Sequence, residues 1–308
     1  MIDARCALAL SYLPGVGPGA VRECLELPLS FPLVRGHVQG ASRRLVAALE
    51  DEGTAEKANR QALRALAEAS RIGLTLLVLG EAHYPRLLGS TRDAPPLVFI
   101  EGSLPPERAV AVIGTRKPTK PGVVISRRVT VHLVAAGWSV VSGLAQGIDA
   151  SAHEAALDAG GTTIAVLAHG LDITYPAAHS ALRRLIVARG GCVISAYPPG
   201  IAVASHRLVA RDRVQAGLSA GVICVQTAKS GGSLHASRAA LDYGRVLAVA
   251  APPVRLDEGY FAGNQRMLQP DGRAFLGTGP LGRILPLSGR EDYRELDALV
   301  DEAPGVKA

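Results

Sequence analysis

The chain has 308 residues, 48% of them hydrophobic but only 4% aromatic, and 33 Lys and Arg against 27 Asp and Glu give a net charge of +6. That length excludes a single small module and leaves room for one sizeable domain plus a smaller one. A core poor in aromatics is built from Val, Ile, Leu and Ala, as in α/β proteins with buried parallel strands, and a positive excess carried by arginine suits bidentate phosphate contacts.

In chain order, the N-terminus MIDARCALALSYLPGVG holds only a short apolar run interrupted by arginine. It lacks a signal-peptide layout, and no stretch reaches the ~18 apolar residues of a membrane span, so a cytoplasmic location is expected. Residues 1–72 have few β-branched runs, and in RRLVAALEDEGTAEKANRQALRALAEASRIG apolar residues recur at three- and four-residue steps. A small all-helical domain is expected there. Within it, the glycine-punctuated stretch from Leu13 to Gly19 is either an ordinary interhelical turn or a hairpin of the helix-hairpin-helix kind, with amides able to face a DNA phosphate. Cys6, Cys24, Cys192 and Cys224 are scattered, without a C-x-x-C pair or a histidine at metal-ligand spacing. They read as reduced core thiols, and neither a metal nor a cofactor is expected.

The segment GEAHYPRLLGSTRDAPPLVFIEGSLPPERA reads as a connector, and from about residue 109 the periodicity changes. AVAVIGT, WSVVSGL, TTIAVLAHG, CVISAY, AGVICVQT and RVLAVA are six strand-like runs separated by helical stretches. Such alternation predicts a doubly wound parallel sheet over 73–285, with its ligand crevice at the carboxyl ends of the strands. Residues 286–308 form a mixed-charge tail with a possible short helix, and no segment reads as a winged helix.

The strand ends carry the candidate site. Arg116 follows the first run; Ser142, Gly143, Gln146 and Gly147 follow the second; Arg211 and Arg213 precede VQAGLS; Lys229, Ser230, Gly231, Gly232 and Ser233 lead into SLHASRAALDYG. A helix start offers unpaired N–H groups and the positive end of its dipole, and glycines let a ligand approach the backbone. Arg211 and Arg213, two apart, share a face if the backbone is extended. Lys229 beside Ser230-Gly231-Gly232 joins a charge to an anion nest.

These turns, with HYPRLL, DAPPLVFIEG, VIGTRKPT, VVSGLAQGIDASAHEAAL, IAVLAHGLDITYPAAHSALRRLI, CVISAYPPG and KSGGSLHASRAALDYGR, resemble the DprA/Smf family of DNA-processing proteins over roughly residues 80–270. The helical N-terminal region is similar to that family's SAM-like domain. The resemblance implies an extended Rossmann fold that binds single-stranded DNA, assists RecA loading in transformation or recombination, works as a homodimer and is not an enzyme. It places phosphate and base contacts on Arg116, Arg211, Arg213 and Lys229, with close backbone approach at Gly143, Gly147, Ser230 and Gly231. The chain departs from the family pattern at Leu208-Val209-Ala210 before the arginines, at Ala196, at Gln226-Thr227 and at Ala250-Ala251-Pro252-Pro253.

Other side chains invite different chemistry. Asp149 and His153 stand at i and i+4 as a candidate acid-base pair, against a helix-start carboxylate and a locally bonded histidine. Ser142 has no evident His-Asp relay, and His169 and His179 lack metal partners at recognisable spacing. Trp138, at a strand start, reads as core, and Tyr197 as a candidate for stacking on a base. The alternative activity is that of a Rossmann-like nucleotide enzyme or sensor such as a nucleoside-monophosphate phosphoribohydrolase. Those enzymes carry a glutamate after the glycine turn, where this chain has His235 and Ser237.

Overall fold

A computed structural model of the chain describes residues 2–27, 29–33, 43–105, 108–252, 258–303 and 306. The N-terminal region is helical. α1 (Ala4–Ser11) starts under Asp3, whose carboxylate accepts the Cys6 N–H at 2.7 Å, and α2 (Pro18–Cys24) opens on proline. After α3 (Arg43–Ala48), the long α4 (Glu52–Arg71) buries Ala55, Ala58, Ala62, Ala65 and Ala69, the expected three- and four-residue stripe. This stripe and α1 share one apolar cluster with Val78, Leu97, Phe99, Leu167 and Val193 of the sheet.

The sheet is larger than the six runs predict. β1 (Thr75–Val78) lies just ahead of the supposed connector and β2 (Leu97–Gly102) arises from it, with α5 (Arg86–Gly89) between them. β3 (Ala109–Gly114), α6 (Lys120–Ala135), β4 (Ser139–Ser142), α7 (Ile148–Asp158), β5 (Thr163–Leu167), α8 (Ser180–Ala188) and β6 (Cys192–Ser195) follow in strict alternation. The chain then returns through α9 (Ser205–Gly217) to β7 (Gly221–Gln226), α10 (Ser233–Asp242) and β8 (Val246–Ala250). α11 (Ala262–Leu268), α12 (Gly272–Leu276), β9 (Arg283–Leu287) and α13 (Tyr293–Asp301) complete it. Nine strands among the described residues are ordered β1-β2-β6-β5-β4-β3-β7-β8-β9. From β6 to β9 they are parallel, while β1 and β2 run antiparallel at one edge.

Alternate strand residues feed opposite faces, as the pleat requires. Val110, Val112, Ile223 and Val225 join the cluster under α6, α7 and α13, whereas Ala111, Ile113, Val222 and Cys224 join the one under α9 to α12. All four cysteines are buried and unpaired. β9 runs across residue 285, where composition places the end of the sheet domain, and α13 buries Leu296 and Val300 against the sheet. No helix among the described residues is long and apolar enough to cross a membrane.

The sequence order reverses at β3: the chain winds outward through β4, β5 and β6, then crosses back to β7 on the other side. The crevice at the carboxyl ends of β3 and β7 is therefore the switch point of the sheet, where doubly wound folds hold ligands.

Candidate nucleic-acid interface

A cleft of about 520 Å³ opens at this switch point. Its walls come from the turn after β3 (Thr115, Arg116, Lys117), the turn after β7 with the start of α10 (Thr227, Gly231, Gly232, Ser233), and one side of α9 (Leu208, Arg211, Asp212, Gln215). Arg116 is exposed and makes no hydrogen bond or ion pair among the described residues, so its guanidinium is available to an anion. Opposite it, α10 begins without a side-chain cap: Leu234 and His235 turn their N–H groups back to the carbonyls of Gly231 and Gly232 at 3.2 and 3.0 Å, and the amides of Gly232 and Ser233 are left for a ligand.

Of the predicted residues, Arg116, Arg211, Gly231, Gly232 and Ser233 meet in this cleft. Gly143 and Gln146 line a smaller adjoining pocket of about 110 Å³ that shares Arg116 and Arg211 with it. Lys229 and Ser230 are exposed but lie outside the cleft wall. Ser142 is fully buried and donates to the Val112 carbonyl at 2.7 Å, so its hydroxyl belongs to the sheet.

The arginine pair is a correction. Residues 205–217 form a helix, and two residues span about 200° of a helix, so Arg211 and Arg213 point apart. Arg213 pairs with Asp93 and lies 5.6 Å from the Tyr243 ring centroid, away from the cleft. Arg211 is 7% exposed and donates to the carbonyls of Gly143 at 2.6 Å and Val166 at 3.0 Å, while Asp212 accepts from its Nε at 3.0 Å. It clamps the loop after β4 to the end of β5 and lends the cleft a largely committed charge.

This clamp also explains the glycines. A Cβ at Gly143 would fall 1.9 Å from an Arg211 nitrogen, so the close approach there is made by the protein's own guanidinium. Gly147, at φ +86°, packs on the Thr115 and Arg116 backbone, 2.4 Å from a Cβ to the Thr115 oxygen. The start of α7 is thereby seated under the Arg116 turn, with Ile148 N–H donating to Thr115 at 3.2 Å.

Asp149 and His153 brace the same loop from beneath. The Asp149 carboxylate accepts from the amides of Gly143 and Ala145 at 3.2 and 3.4 Å. Burial raises its pKa, opposed by Arg211 and those amides. His153 accepts the Leu144 N–H at Nε2 (3.3 Å) and donates from Nδ1 to Thr163 (2.6 Å), whose hydroxyl donates to Val140. Its pKa is pushed down to about 3 by burial, with His179 and Arg211 adding to the shift. A neutral, fully bonded imidazole with no exposed surface is a buttress for the loop.

Three contributors escape the sequence reading. Asp212 puts a carboxyl on the cleft wall, its pKa pushed up to about 6 by burial, with Asp149 adding and Arg211 and Arg116 opposing. Gln215, 2% exposed, leaves its Nε2 without a hydrogen-bond partner beside the cleft. Asn264, fully buried on α11, accepts the Thr227 N–H at 2.8 Å and donates to carbonyls of Cys224, Val225 and Ala250. It fixes the turn that carries Gly231 to Ser233. Ser237, where a phosphoribohydrolase would need its acid, is buried and donates to Ser233.

Fold and site together define a Rossmann-like α/β protein with a basic cleft at its topological switch point. Residues 75–279 match the DNA recombination-mediator protein A family, and the chain belongs to that family. It is 32% identical over 251 residues to the protein Smf of Synechocystis, covering 77% of this chain and 62% of that relative's length. The fold matches the X-ray structure of DNA processing protein A from Streptococcus pneumoniae at a TM-score of 0.74 and 26% identity, over 96% of this chain and 98% of that one. A Helicobacter pylori structure, described as giving the single-stranded DNA binding mode of DNA processing protein A, matches at a TM-score of 0.55 and 25% identity. That match covers 66% of this chain and 94% of the other.

Proposed function

We propose that this chain binds single-stranded DNA along the strand-end cleft, protects incoming or exposed strands without covalent chemistry, and, as a homodimer, assists a RecA-type recombinase in loading onto them. The observation that carries the reading is an uncommitted guanidinium at Arg116 facing the uncapped start of α10 across the β3/β7 switch point. One phosphate held between them gains a charge-assisted fork on one side and oriented amides on the other. The H. pylori relative, whose structure concerns single-stranded DNA binding, supports the choice of ligand. The absence of an acid at Ser237 and the structural engagement of Asp149 and His153 support a role without catalysis.

Fluorescence anisotropy with a labelled oligothymidylate and with a duplex of equal length tests this at low salt. The single strand should bind more tightly, and Arg116→Ala should weaken it about tenfold, the loss expected of one charged hydrogen-bonding partner. Equal binding of the folded wild-type protein and Arg116→Ala would sink the assignment. Release of free base from a nucleoside monophosphate would favour the nucleotide enzyme instead.

A further inference from the structure

We infer that the cavity between the α1–α2 turn and the carboxyl rim of the sheet is a nucleobase pocket, filled by an unstacked base of the strand whose phosphates occupy the cleft. The inference rests on the proposed function and extends it to a second surface. The cavity measures about 450 Å³, within the range of small-molecule sites, and lies where such sites concentrate, between two packed units. Val16 and Val21 form its helical wall, Leu97 and Val214 its sheet-side wall, and Tyr12 and Tyr197 its polar points.

The chemistry selects a flat, uncharged, edge-polar ligand. The walls are mainly aliphatic, and the one acid lining them, Asp93, is already engaged by Arg213 and the Tyr243 hydroxyl. Neither the Tyr12 nor the Tyr197 hydroxyl has a hydrogen-bond partner among the described residues, so both can address a base edge. The Arg207 guanidinium lies 5.6 Å from the Tyr197 ring centroid, and such an arginine-aromatic face is one on which a base stacks. Of the arginines on these walls, Arg213 pairs with Asp93, Arg211 with Asp212, and Arg207 donates to the Ala202 carbonyl beside the Tyr197 ring, while the aliphatic remainder serves the faces of a base better than a phosphate.

Continuity with the cleft carries the inference to the same strand. Arg211 lines the cleft, the small pocket beside His169 and the large cavity. Leu167 lines the cavity and the small pocket, and Arg116, Ala145 and Leu208 line the small pocket and the cleft. The three voids therefore lie side by side around Arg211 along the rim of β3 to β6. A strand held by its phosphates at β3 and β7 has a path to the cavity.

The test uses the full chain, an oligothymidylate, the same oligonucleotide carrying one abasic position scanned along it, and the variants Val16→Trp and Tyr197→Leu, with circular dichroism confirming the fold. At one position, loss of the base should lower wild-type affinity about tenfold, as for one stacked base. Both variants should bring the intact oligonucleotide to that lower affinity and show no further loss with the abasic one. Should Val16→Trp fail to fold, Tyr197→Leu decides, its side chain being at the half-buried rim. Abasic and intact strands binding equally at every position, or variants matching the wild type, would overturn the pocket while leaving the cleft reading standing. No binding of either strand by the folded protein would overturn both.

Discussion

At the scale of single residues, Asp212 decides how the cleft responds to pH. A carboxyl raised to about 6 binds its proton more readily in the fold than in the unfolded chain, where it titrates near its ordinary value of 3.8. Its contribution to stability is therefore complete below pH 4 and lost as pH rises through 6. The same proton changes the ligand site, because at pH 5 the wall facing Arg116 and Arg211 carries one negative charge fewer. Oligonucleotide affinity should rise severalfold from pH 7 to pH 5 at fixed ionic strength. Asp212→Asn keeps an oxygen for the Arg211 Nε, so it should bind at pH 7 as the wild type binds at pH 5, with the pH dependence flattened. A wild-type affinity that stays level across this window would refute the role of Asp212. The sequence shows this carboxyl only as the middle of Arg-Asp-Arg; its place on the cleft wall near Asp149 comes from the packing of α9 against the strand ends.

At the scale of elements, the fold places function on turns and stability beneath them. The turn after β7 gains its shape from α11, a helix distant in sequence, through Asn264. Removing that amide in Asn264→Ala leaves the Thr227 N–H and three strand carbonyls without it, all inside the core. A loss of about 2–4 kcal/mol follows, read from urea unfolding. Single-strand affinity should fall too, because the start of α10 is no longer held. Unchanged stability would show that water or a neighbour replaces the amide.

The elements also show why the sequence is partly readable. Six of the seven parallel strands stand out as β-branched runs closed by small residues, and their order alone places Arg116 and the Gly231-Gly232 turn on one rim. β2 is hidden because its LVFIEG follows two prolines, and β1 because TLLV is too short to show a period. The helix ending near Leu218 is expected, but α9 begins at Ser205 rather than after Arg213, and with that earlier start goes the facing of Arg213. The glycines at 143 and 147 are visible as special, but only packing shows that Arg211 and the Arg116 turn fill the space they leave.

At the scale of the whole molecule, the count of 33 Lys and Arg overstates the positive field. Arg92, Arg108, Arg127, Arg183, Arg213, Arg266 and Arg283 each face a carboxylate. Exposed pairs of this kind contribute little to stability, but they do cancel long-range attraction for a polyanion. What remains at the switch point is local: Arg116 and Lys117 on one wall, the start of α10 on the other, and Arg211 balanced by Asp212. Binding driven by a coat of basic residues would release many counterions, whereas binding by this cleft should release few. For a single strand each neutralised phosphate contributes about −0.7 to the slope of log K against log salt, so about two to four contacts predict a slope between roughly −1.4 and −2.8. Arg116→Ala should make that slope shallower by about 0.7, and Arg127→Ala, whose guanidinium pairs with Asp158 away from both the cleft and the cavity, should leave it unaltered. A slope steeper than about −5 would mean that the strand follows a surface beyond the cleft. Unequal shifts between these two variants locate the strand at the β3/β7 rim, because there Arg116 lines the cleft with no carboxylate paired to it among the described residues.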